Sequence, residues 1–182
     1  MYDFNFQSAS SLDDAAAKLS AAEDGTIMAG GQTLIPVLKQ RLAKPSDVIS
    51  LAGAGLSGIT NNGDSVTIGA MTTHAAVAAS SDVSAVLRSV AEGIGDAQVR
   101  NRGTLGGSLA NNDPAADYPA AALGLGATIT TNQRDIAADD FFTGMFETAL
   151  NYGEIIKSVT FPNATKAAYS KFPNPASRYA LV

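Results

Sequence analysis

The sequence predicts an α+β fold, and three observations lead to that expectation. Short segments rich in β-branched residues alternate with segments in which apolar residues recur at helical spacing. Serine, threonine or aspartate precedes several of the helical segments, where such residues cap helix N-termini. The run Asn61-Asn62-Gly63-Asp64 separates two strand-like segments and is typical of a β-hairpin turn.

The first third of the chain predicts three strands and two helices. Ser10 or Ser11 is expected to cap the first helix, and Gly25 to end it. Gly30-Gly31 follows a buried strand and precedes the second helix, which tolerates Pro36 only in its first turn. The strands are expected at residues 2–6, 26–29 and 48–51, and the helices at 12–22 and from 34 onward.

The same signals predict the later elements. Thr73 and Asp82 are expected helix caps. Asp113-Pro114 places a cap and a first-turn proline at a helix start, and Pro119 marks a second start. The expected strands are 59–60, 65–68, 127–131, 136–142 and 154–161, with a further strand or hairpin over 169–182, and the expected helices are 74–79, 82–92 and 120–125.

The composition excludes several classes of function. The 182 residues are 46% hydrophobic and 16% charged, which fits one large or two small globular domains. Because cysteine is absent and there is one histidine, no metal site or iron–sulfur cluster is expected in this chain. A formal net charge of −5 argues against a nucleic-acid partner. With no signal peptide and no run long enough for a membrane span, a cytoplasmic protein is expected.

The chemistry of the chain is concentrated in the stretch 94–128. Within it, residues 103–108 read GTLGGS and place three glycines and two hydroxyls in six residues. Paired glycines allow φ > 0 and let a ligand approach the main chain, while successive free N–H groups bind anions. The segment therefore predicts a loop for a phosphate-bearing or polyhydroxylated ligand. An ordinary glycine turn at a sheet corner is the alternative.

The earlier pair Gly30-Gly31 predicts similar chemistry. Its position between a strand and a helix offers unpaired backbone N–H groups and the positive end of a helix dipole to an anion. The two glycine-rich turns are therefore expected to converge on one ligand.

Six motifs resemble one known family in order and spacing. They are AGGQTL at 29–34, TIGAMTT at 67–73, QVRNRGTLGGS at 98–108, DPAAD at 113–117, FTG at 142–144 and EII at 154–156. The family is the FAD-binding medium subunit of molybdenum hydroxylases, which includes aerobic carbon monoxide dehydrogenases and xanthine dehydrogenases. The resemblance implies a vanillyl-alcohol-oxidase-type (PCMH-type) fold. That fold has a small N-terminal α/β subdomain, a larger subdomain on a mainly antiparallel sheet, and FAD between them.

The resemblance also implies the cofactor-binding residues. The first glycine turn matches the FAD pyrophosphate loop, the second matches its partner on the other subdomain, and an acid and two apolar residues match positions beside the flavin. The implied residues are Ile27, Met28, Ala29, Gly30, Gly31, Gln32, Thr33, Leu34, Ile94, Thr104, Leu105, Gly106, Gly107, Ser108, Asp117 and Ile156. No catalytic and no metal-binding residue is implied. The FAD is expected to be non-covalent, because there is no cysteine and His74 lies outside the two turns.

The sequence departs from the family in two places. Gln32 stands where the carbon monoxide enzymes usually carry histidine, and a chain that ends at Val182 is expected to lack the family's C-terminal domain. The implied division is 1–55 for the N-terminal subdomain, 56–165 for the second and 166–182 for the start of the third. An apolar final stretch leads us to expect a fragment that associates with partner subunits.

Several residues carry two interpretations. Asp117 is a helix cap or a ligand contact, and Tyr118 reaches the flavin or packs in the core. Arg100 and Arg102 neutralise phosphate or contact a subunit. His74 is expected to be a surface residue beside a cap rather than a base. A set of phenylalanines at helical spacing is expected in the core: Phe141, Phe142 and Phe146.

Two functions follow from the resemblance. In the first, the chain is an oxidoreductase subunit that passes electrons from an iron–sulfur small subunit through FAD to NAD, a quinone or oxygen. The molybdenum cofactor and the [2Fe-2S] clusters then lie on the large and small partner subunits. In the second, the chain is a non-catalytic FAD-binding or assembly module.

Overall fold

The computed structural model describes residues 1–182 and contains two separate β-sheets, a small hairpin and eight short helices. The strands are β1 Asn5–Ser8, β2 Gly25–Met28, β3 Asp47–Ser50, β4 Ile59–Asn61, β5 Ser65–Gly69, β6 Thr128–Thr131, β7 Asp135–Ala137, β8 Phe142–Gly144, β9 Glu147–Thr148 and β10 Ile156–Pro162. The helices are α1 Leu12–Ala21, α2 Leu34–Lys39, α3 His74–Ala79, α4 Ala85–Glu92, α5 Ala97–Arg102, α6 Leu105–Asn111, α7 Asp117–Gly124 and α8 Ala138–Phe141.

The N-terminal unit is a small parallel sheet of order β1-β3-β2. All four residues of β3 are buried, because this strand has a neighbour on each side. Helix α1 starts where Ser11 Oγ accepts a hydrogen bond from the Asp14 N–H at 3.0 Å. It packs Ala15 and Leu19 against Ile49 of β3. The expected small α/β unit is therefore confirmed.

The second unit is a five-stranded antiparallel sheet of order β4-β5-β10-β6-β7. The last strand in the chain, β10, is its centre and buries Val159 and Phe161 completely. Leu105 and Leu109 of α6 belong to the same core. The predicted hairpin joins β4 to β5, and the larger antiparallel unit is confirmed. The subdomain boundaries at 55 and 165 stay a prediction.

Two predicted helix starts are wrong. The N–H of Asp82 bonds to Ser80 Oγ at 3.2 Å in a turn, and α4 begins only after Ser84. Asp113 Oδ1 accepts from the Ala115 N–H at 2.9 Å, so Asp113-Pro114 also forms a turn. The second start, with Pro119 in the first turn, is the correct one.

The three phenylalanines do not share one environment. Phe141 is fully buried and Phe142 is half-buried, but Phe146 is 56% exposed at the tip of the β8–β9 hairpin. Helix α8 ends at Phe141, so Phe142 and Phe146 do not lie on one face of a helix. The expectation that Phe146 lies in the core is therefore wrong. The expected hairpin over 169–182 is present as an antiparallel bridge between Pro173 and Ala180.

No helix has both the length and the apolar character needed to cross a membrane. No group of three or more histidine, cysteine or acidic side chains is placed to hold a metal ion.

Candidate functional site

A cavity of ≈ 560 Å³ is lined by residues of both units. The N-terminal unit contributes the end of β2, the connection 29–33 and the start of α2. The second unit contributes the starts of α3, α6 and α7 and the residues before β10. Ser177, Arg178 and Tyr179 of the C-terminal hairpin close one side. The glycine-rich turns at 30–31 and 103–108 therefore converge on one space.

The connection 29–33, here called the first glycine loop, has five backbone N–H groups without an acceptor. No backbone or side-chain group accepts a hydrogen bond from the N–H of any residue between Ala29 and Thr33. Gly31 takes φ of +75° at the turn, which a residue with a side chain rarely adopts. The loop thus presents a run of free donors to the cavity, as the sequence predicts, and such a run suits an anion.

The segment 103–108, here called the second glycine segment, is not a loop of free donors. It is the start of helix α6, with Thr104 as the N-cap whose Oγ1 accepts from the Gly107 N–H at 3.2 Å. The N–H groups of Leu105 and Gly106 donate to the carbonyl oxygens of Thr72 at 3.1 Å and Ala70 at 2.9 Å. The anion-binding nest expected here is therefore wrong, since the successive N–H groups of Leu105, Gly106 and Gly107 are already paired.

The glycines of the second segment allow close packing instead. A Cβ on Gly106 would lie 2.6 Å from Ala70 Cβ, and a Cβ on Gly107 would lie 2.8 Å from Thr104 Oγ1 and 3.3 Å from Ala29 Cβ. Neither glycine has positive φ. The absence of side chains brings α6 close to the turn at Ala70 and close to Ala29.

Most of the sequence-predicted site residues line this cavity. Met28 and Leu105 do not, and Leu105 is fully buried in the core of the second unit. The predicted residues that line it are Ile27, Ala29, Gly30, Gly31, Gln32, Thr33, Leu34, Ile94, Thr104, Gly106, Gly107, Ser108, Asp117 and Ile156.

Asp117 lies at the first turn of α7 and is buried. Its Oδ1 accepts from the Tyr169 hydroxyl at 2.7 Å, and its Oδ2 accepts from Lys171 Nζ at 3.0 Å. Lys171 also donates to the Gly93 carbonyl at 3.0 Å. Asp117 therefore lines the cavity and anchors the C-terminal segment over it.

His74 is buried in the cavity wall, so the expectation of a surface residue is wrong. Its side chain packs under Gly103, and its ring centroid lies 5.3 Å from that of Tyr118. Burial, with a smaller effect from the Arg100 charge, lowers the His74 pKa to about 4. The imidazole is therefore neutral at neutral pH.

Glu154 is a cavity residue that is absent from the predicted site residues, although it begins the EII motif at 154–156. Its carboxylate is buried and accepts from Arg134 Nε at 3.0 Å, Thr131 Oγ1 at 2.8 Å and the Asn151 N–H at 2.9 Å. The hydrogen bond from Arg134 is the main cause that lowers the pKa of Glu154 to about 2. An acid directly before the buried pair Ile155-Ile156 is the sequence signal that could have identified it.

Arg100 supports the cavity wall through its side chain, whereas Arg102 contacts the wall through its backbone carbonyl. Arg100 Nη1 donates to the Ile94 and Gly95 carbonyls at 3.1 Å each, which holds this part of the cavity wall. The Arg102 side chain is exposed, while its carbonyl oxygen packs against Gly30. Neither residue is placed as a cavity phosphate ligand by these contacts.

Residues 2–164 match the model of the family described as the FAD binding domain in molybdopterin dehydrogenase. The chain is 40% identical over 185 residues to the nicotine 6-hydroxylase medium subunit of Paenarthrobacter nicotinovorans, covering 97% of this chain and 65% of that protein. It is 37% identical to the carbon monoxide dehydrogenase medium chain of Afipia carboxidovorans, covering 97% and 66%.

Solved structures give the same result. The chain is similar, with a TM-score of 0.92 and 33% identity, to carbon monoxide dehydrogenase from Hydrogenophaga pseudoflava, covering 97% of this chain and 66% of that one. It is similar, with a TM-score of 0.93 and 32% identity, to quinoline 2-oxidoreductase from Pseudomonas putida 86, covering 98% and 66%. The chain thus spans about two thirds of the length of these relatives.

These matches confirm the family and the PCMH-type fold that the sequence motifs predict, and they make FAD the cofactor. The relatives are subunits of oxidoreductases that act as dehydrogenases or hydroxylases. The chain belongs to the family of FAD-binding domains of molybdopterin dehydrogenases.

Proposed function

We propose that this chain binds FAD in the cavity between its two units and serves as the electron-transfer unit of a molybdenum hydroxylase. Electrons arrive from an iron–sulfur small subunit and leave to an external acceptor, namely NAD, a quinone or oxygen. The molybdenum cofactor lies on a large subunit and the [2Fe-2S] clusters on the small one. Bound FAD supplies the redox chemistry, and the chain supplies binding, orientation and electrostatics.

The observation that carries this proposal is the run of five free N–H groups on the cavity wall. A pyrophosphate needs several donors at close range, and the first glycine loop offers the N–H groups from Ala29 to Thr33, none of which donates to another group of the chain. Gly30 packs against the Arg102 carbonyl and Gly31 against Ile35, so the two glycines let the loop lie close to its neighbours. The residues present therefore fit a dinucleotide.

The size and lining of the cavity also fit. A volume of ≈ 560 Å³ lies within the range of about 300–1,000 Å³ of cofactor and ligand sites. Gly107 and Ser108 form the opposite wall, where the absence of a Cβ leaves room beside Ala29. We therefore assign the second glycine segment the role of shaping the cavity rather than of binding an anion.

We assign the flavin end of the cavity to Ile94, Ile156 and Asp117. Ile94 is held by the Arg100 contact to its carbonyl, and Ile156 follows the buried Glu154. The Lys171 ammonium partly neutralises Asp117, which limits repulsion of an electron-rich ring system. This end combines apolar walls with one charged pair.

Non-covalent attachment is part of the proposal. His74 lies outside the two glycine-rich turns but lines the cavity, and there is no cysteine. However, the imidazole is packed between Gly103 and Tyr118 on the protein side of the wall. This position favours a non-covalent contact between His74 and the ligand over a covalent bond.

A titration tests the function. The purified chain is titrated with FAD and, separately, with FMN, and binding is followed by quenching of flavin fluorescence. FAD is expected to bind and FMN to bind far more weakly, because only FAD carries the pyrophosphate and adenosine. Equal affinity for both would refute the assignment of the first glycine loop.

Reduction distinguishes electron transfer from the alternative assembly role. The flavin-loaded chain is reduced with dithionite under anaerobic conditions, freed of excess dithionite, and then mixed separately with NAD⁺, a quinone or oxygen. Reoxidation by one of these acceptors supports the electron-transfer function. A bound flavin that none of them reoxidises would favour the assembly module.

A further inference from the structure

Residues 149–156, here called the bridging segment, run along the cavity wall and contact both units. Four of its residues line the cavity: Leu150, Glu154, Ile155 and Ile156. Ile155 is buried in the core of the N-terminal unit, whereas its neighbour Ile156 is buried in the core of the second unit. The segment therefore joins the two cores directly beside the cavity.

A hydrogen bond gives this segment a second contact with the N-terminal unit. The Tyr152 hydroxyl donates to the backbone carbonyl oxygen of Leu19 in helix α1 at 3.1 Å. Leu19 belongs to the same core as Ile155. The position of the bridging segment is therefore coupled to the position of α1 relative to the second unit.

The turn that connects β6 to β7 in the second unit holds the bridging segment. The Asn132 N–H donates to the Ile155 carbonyl at 3.0 Å, and Asn132 Oδ1 accepts from the Ile155 N–H at 2.9 Å. Arg134 Nη2 donates to the Ala149 carbonyl at 2.6 Å. The turn thus contacts the segment at its first residue and again near its end.

The Glu154 carboxylate links the same turn to the bridging segment from inside the protein. Its side chain has no exposed surface, and five hydrogen bonds converge on its two oxygens. Three of them come from Arg134 and Thr131 at the turn, and two come from the N–H and the side-chain amide of Asn151. A buried ion pair adds little net stability compared with apolar side chains, but its directed bonds fix the positions of the groups that it joins.

We propose that Glu154 is a positioning residue for the cofactor, because it holds the bridging segment on the β6–β7 turn and so fixes the separation of the two units at the cavity. It acts through Ile155 and Ile156, which lie between it and the two cores. The inference rests on the proposed FAD site, since FAD is the ligand expected to span both units. ADP carries the pyrophosphate and adenosine but no flavin, so its binding depends mainly on the first glycine loop.

The absence of cysteine makes this separation measurable without the cofactor. Lys39→Cys on α2 and Ala120→Cys on α7 each provide an exposed site for a spin label, one on each unit. Double electron–electron resonance then gives the distribution of distances between the labels. We expect a narrow distribution in the otherwise wild-type chain and a broader one in Glu154→Gln, whose NH₂ group replaces one of the two accepting oxygens. An unchanged distribution in a folded Glu154→Gln variant would overturn the proposal whether or not FAD binds.

Calorimetric titration with FAD and with ADP measures the effect on the cofactor. Glu154→Gln is expected to weaken FAD binding about tenfold and to leave ADP binding within about twofold, because a loosened separation must be ordered again when FAD binds. A merely destabilising substitution reduces the folded fraction and lowers both apparent affinities alike. Equal losses, or no loss for FAD, would therefore refute the positioning role. If the wild-type chain binds neither ligand, the proposed function fails, and the distance distribution still decides whether Glu154 fixes the two units.

Asp14→Asn is the matched control, because Asp14 also pairs with a cation, Lys18 at 2.7 Å, but within helix α1. This variant should show the wild-type distance distribution and the wild-type ratio of FAD to ADP affinity. If it changed both as much as Glu154→Gln does, the loss of any ion pair would explain the effect and the proposal would fail.

Arg134→Lys is the second variant, in case Glu154→Gln does not fold. The Arg134 side chain is 46% exposed, and lysine keeps the positive charge beside Glu154 but loses the paired donation to both carboxylate oxygens. We expect a smaller broadening of the distance distribution and FAD binding about threefold weaker, with ADP binding unchanged. A wild-type distribution in this variant would overturn the proposal.

Discussion

The carbonyl oxygen of Arg102 occupies the space that a side chain on Gly30 would need. This contact joins the first glycine loop of the N-terminal unit to the end of helix α5 in the second unit. Backbone meets backbone here, so no rotamer change can relieve a larger residue. The separation of the two cavity walls is therefore fixed at this point.

Gly30→Ala is expected to push the two walls apart and weaken FAD binding about 10- to 100-fold, because overpacking against backbone costs about 1–3 kcal/mol. Fluorescence titration measures the affinity. Gly124→Ala is the matched control, because a Cβ there meets nothing within 4 Å. That variant should bind FAD as the wild type does, and a normal affinity in Gly30→Ala would contradict the contact.

Gly107→Val is expected to abolish FAD binding while the fold persists. Its Cβ would crowd Thr104 Oγ1 and Ala29 Cβ, and the branched methyls would fill the cavity. Disturbing the Thr104 cap should cost about 1 kcal/mol of stability. Thermal unfolding followed by circular dichroism checks the fold. Normal FAD binding by this variant would exclude the second glycine segment from the site.

Asp117→Ala is expected to weaken FAD binding by about 1.5–3 kcal/mol, as for loss of a hydrogen bond to a charged group. It should also make residues 166–182 more sensitive to proteolysis, because Tyr169 and Lys171 lose their acceptor. Lys171→Met is the matched control for the second effect. If that variant is equally protease-sensitive and equally weak for FAD, Asp117 acts only through the C-terminal segment.

Stability is expected to fall on mild acidification because of His74. Its folded pKa of about 4 lies below the ordinary 6.5, so the unfolded chain binds more protons between these values. The free energy of unfolding should therefore drop by about 2 kcal/mol between pH 7 and pH 5. Urea unfolding at the two pH values measures it.

His74→Gln is the control for this pH dependence and should show a flat profile in that window. The Glu154 carboxylate affects stability in a different pH range. Because its pKa is lowered in the folded chain, its contribution to stability is lost only as the pH falls below about 4.5. An unchanged slope in His74→Gln would assign the acid sensitivity to other groups.

Acid precipitation of the FAD-loaded chain is expected to release all of the flavin to the supernatant. The expectation follows from the absence of cysteine and from the packing of His74 behind Gly103. Absorbance of supernatant and pellet measures the partition. Flavin that remains in the pellet after washing would demonstrate a covalent bond, and His74→Gln would then show whether His74 carries it.

The first glycine loop could be predicted from sequence because its chemistry is local. A glycine pair between a strand and a helix N-terminus lies outside the hydrogen-bond patterns of both elements, so its N–H groups have no partner within them. The second glycine segment could not, because its donors are used by the Thr72 and Ala70 carbonyls, which are distant in the chain. Two similar glycine patterns therefore have different roles, and only the tertiary packing decides between them.

Burial of polar residues was the other unpredictable feature. His74 follows a threonine cap and reads as a surface position, yet α3 turns it toward Tyr118 of α7. Glu154 reads as the start of a strand, yet three neighbours converge on its carboxylate. Periodicity reports which face of an element is apolar, but it does not report which polar side chain that face encloses.

The central position of β10 has a consequence for how the chain is made. Residues 156–162 are synthesised after β4, β5, β6 and β7, but they lie between the β4–β5 and β6–β7 pairs in the finished sheet. Until they emerge from the ribosome, Val66 and Ile129 lack their β10 partners, Phe161 and Val159, and each strand pair keeps an open inner edge. The larger unit therefore completes its folding late in translation, and its two half-sheets depend on protection from aggregation during that interval.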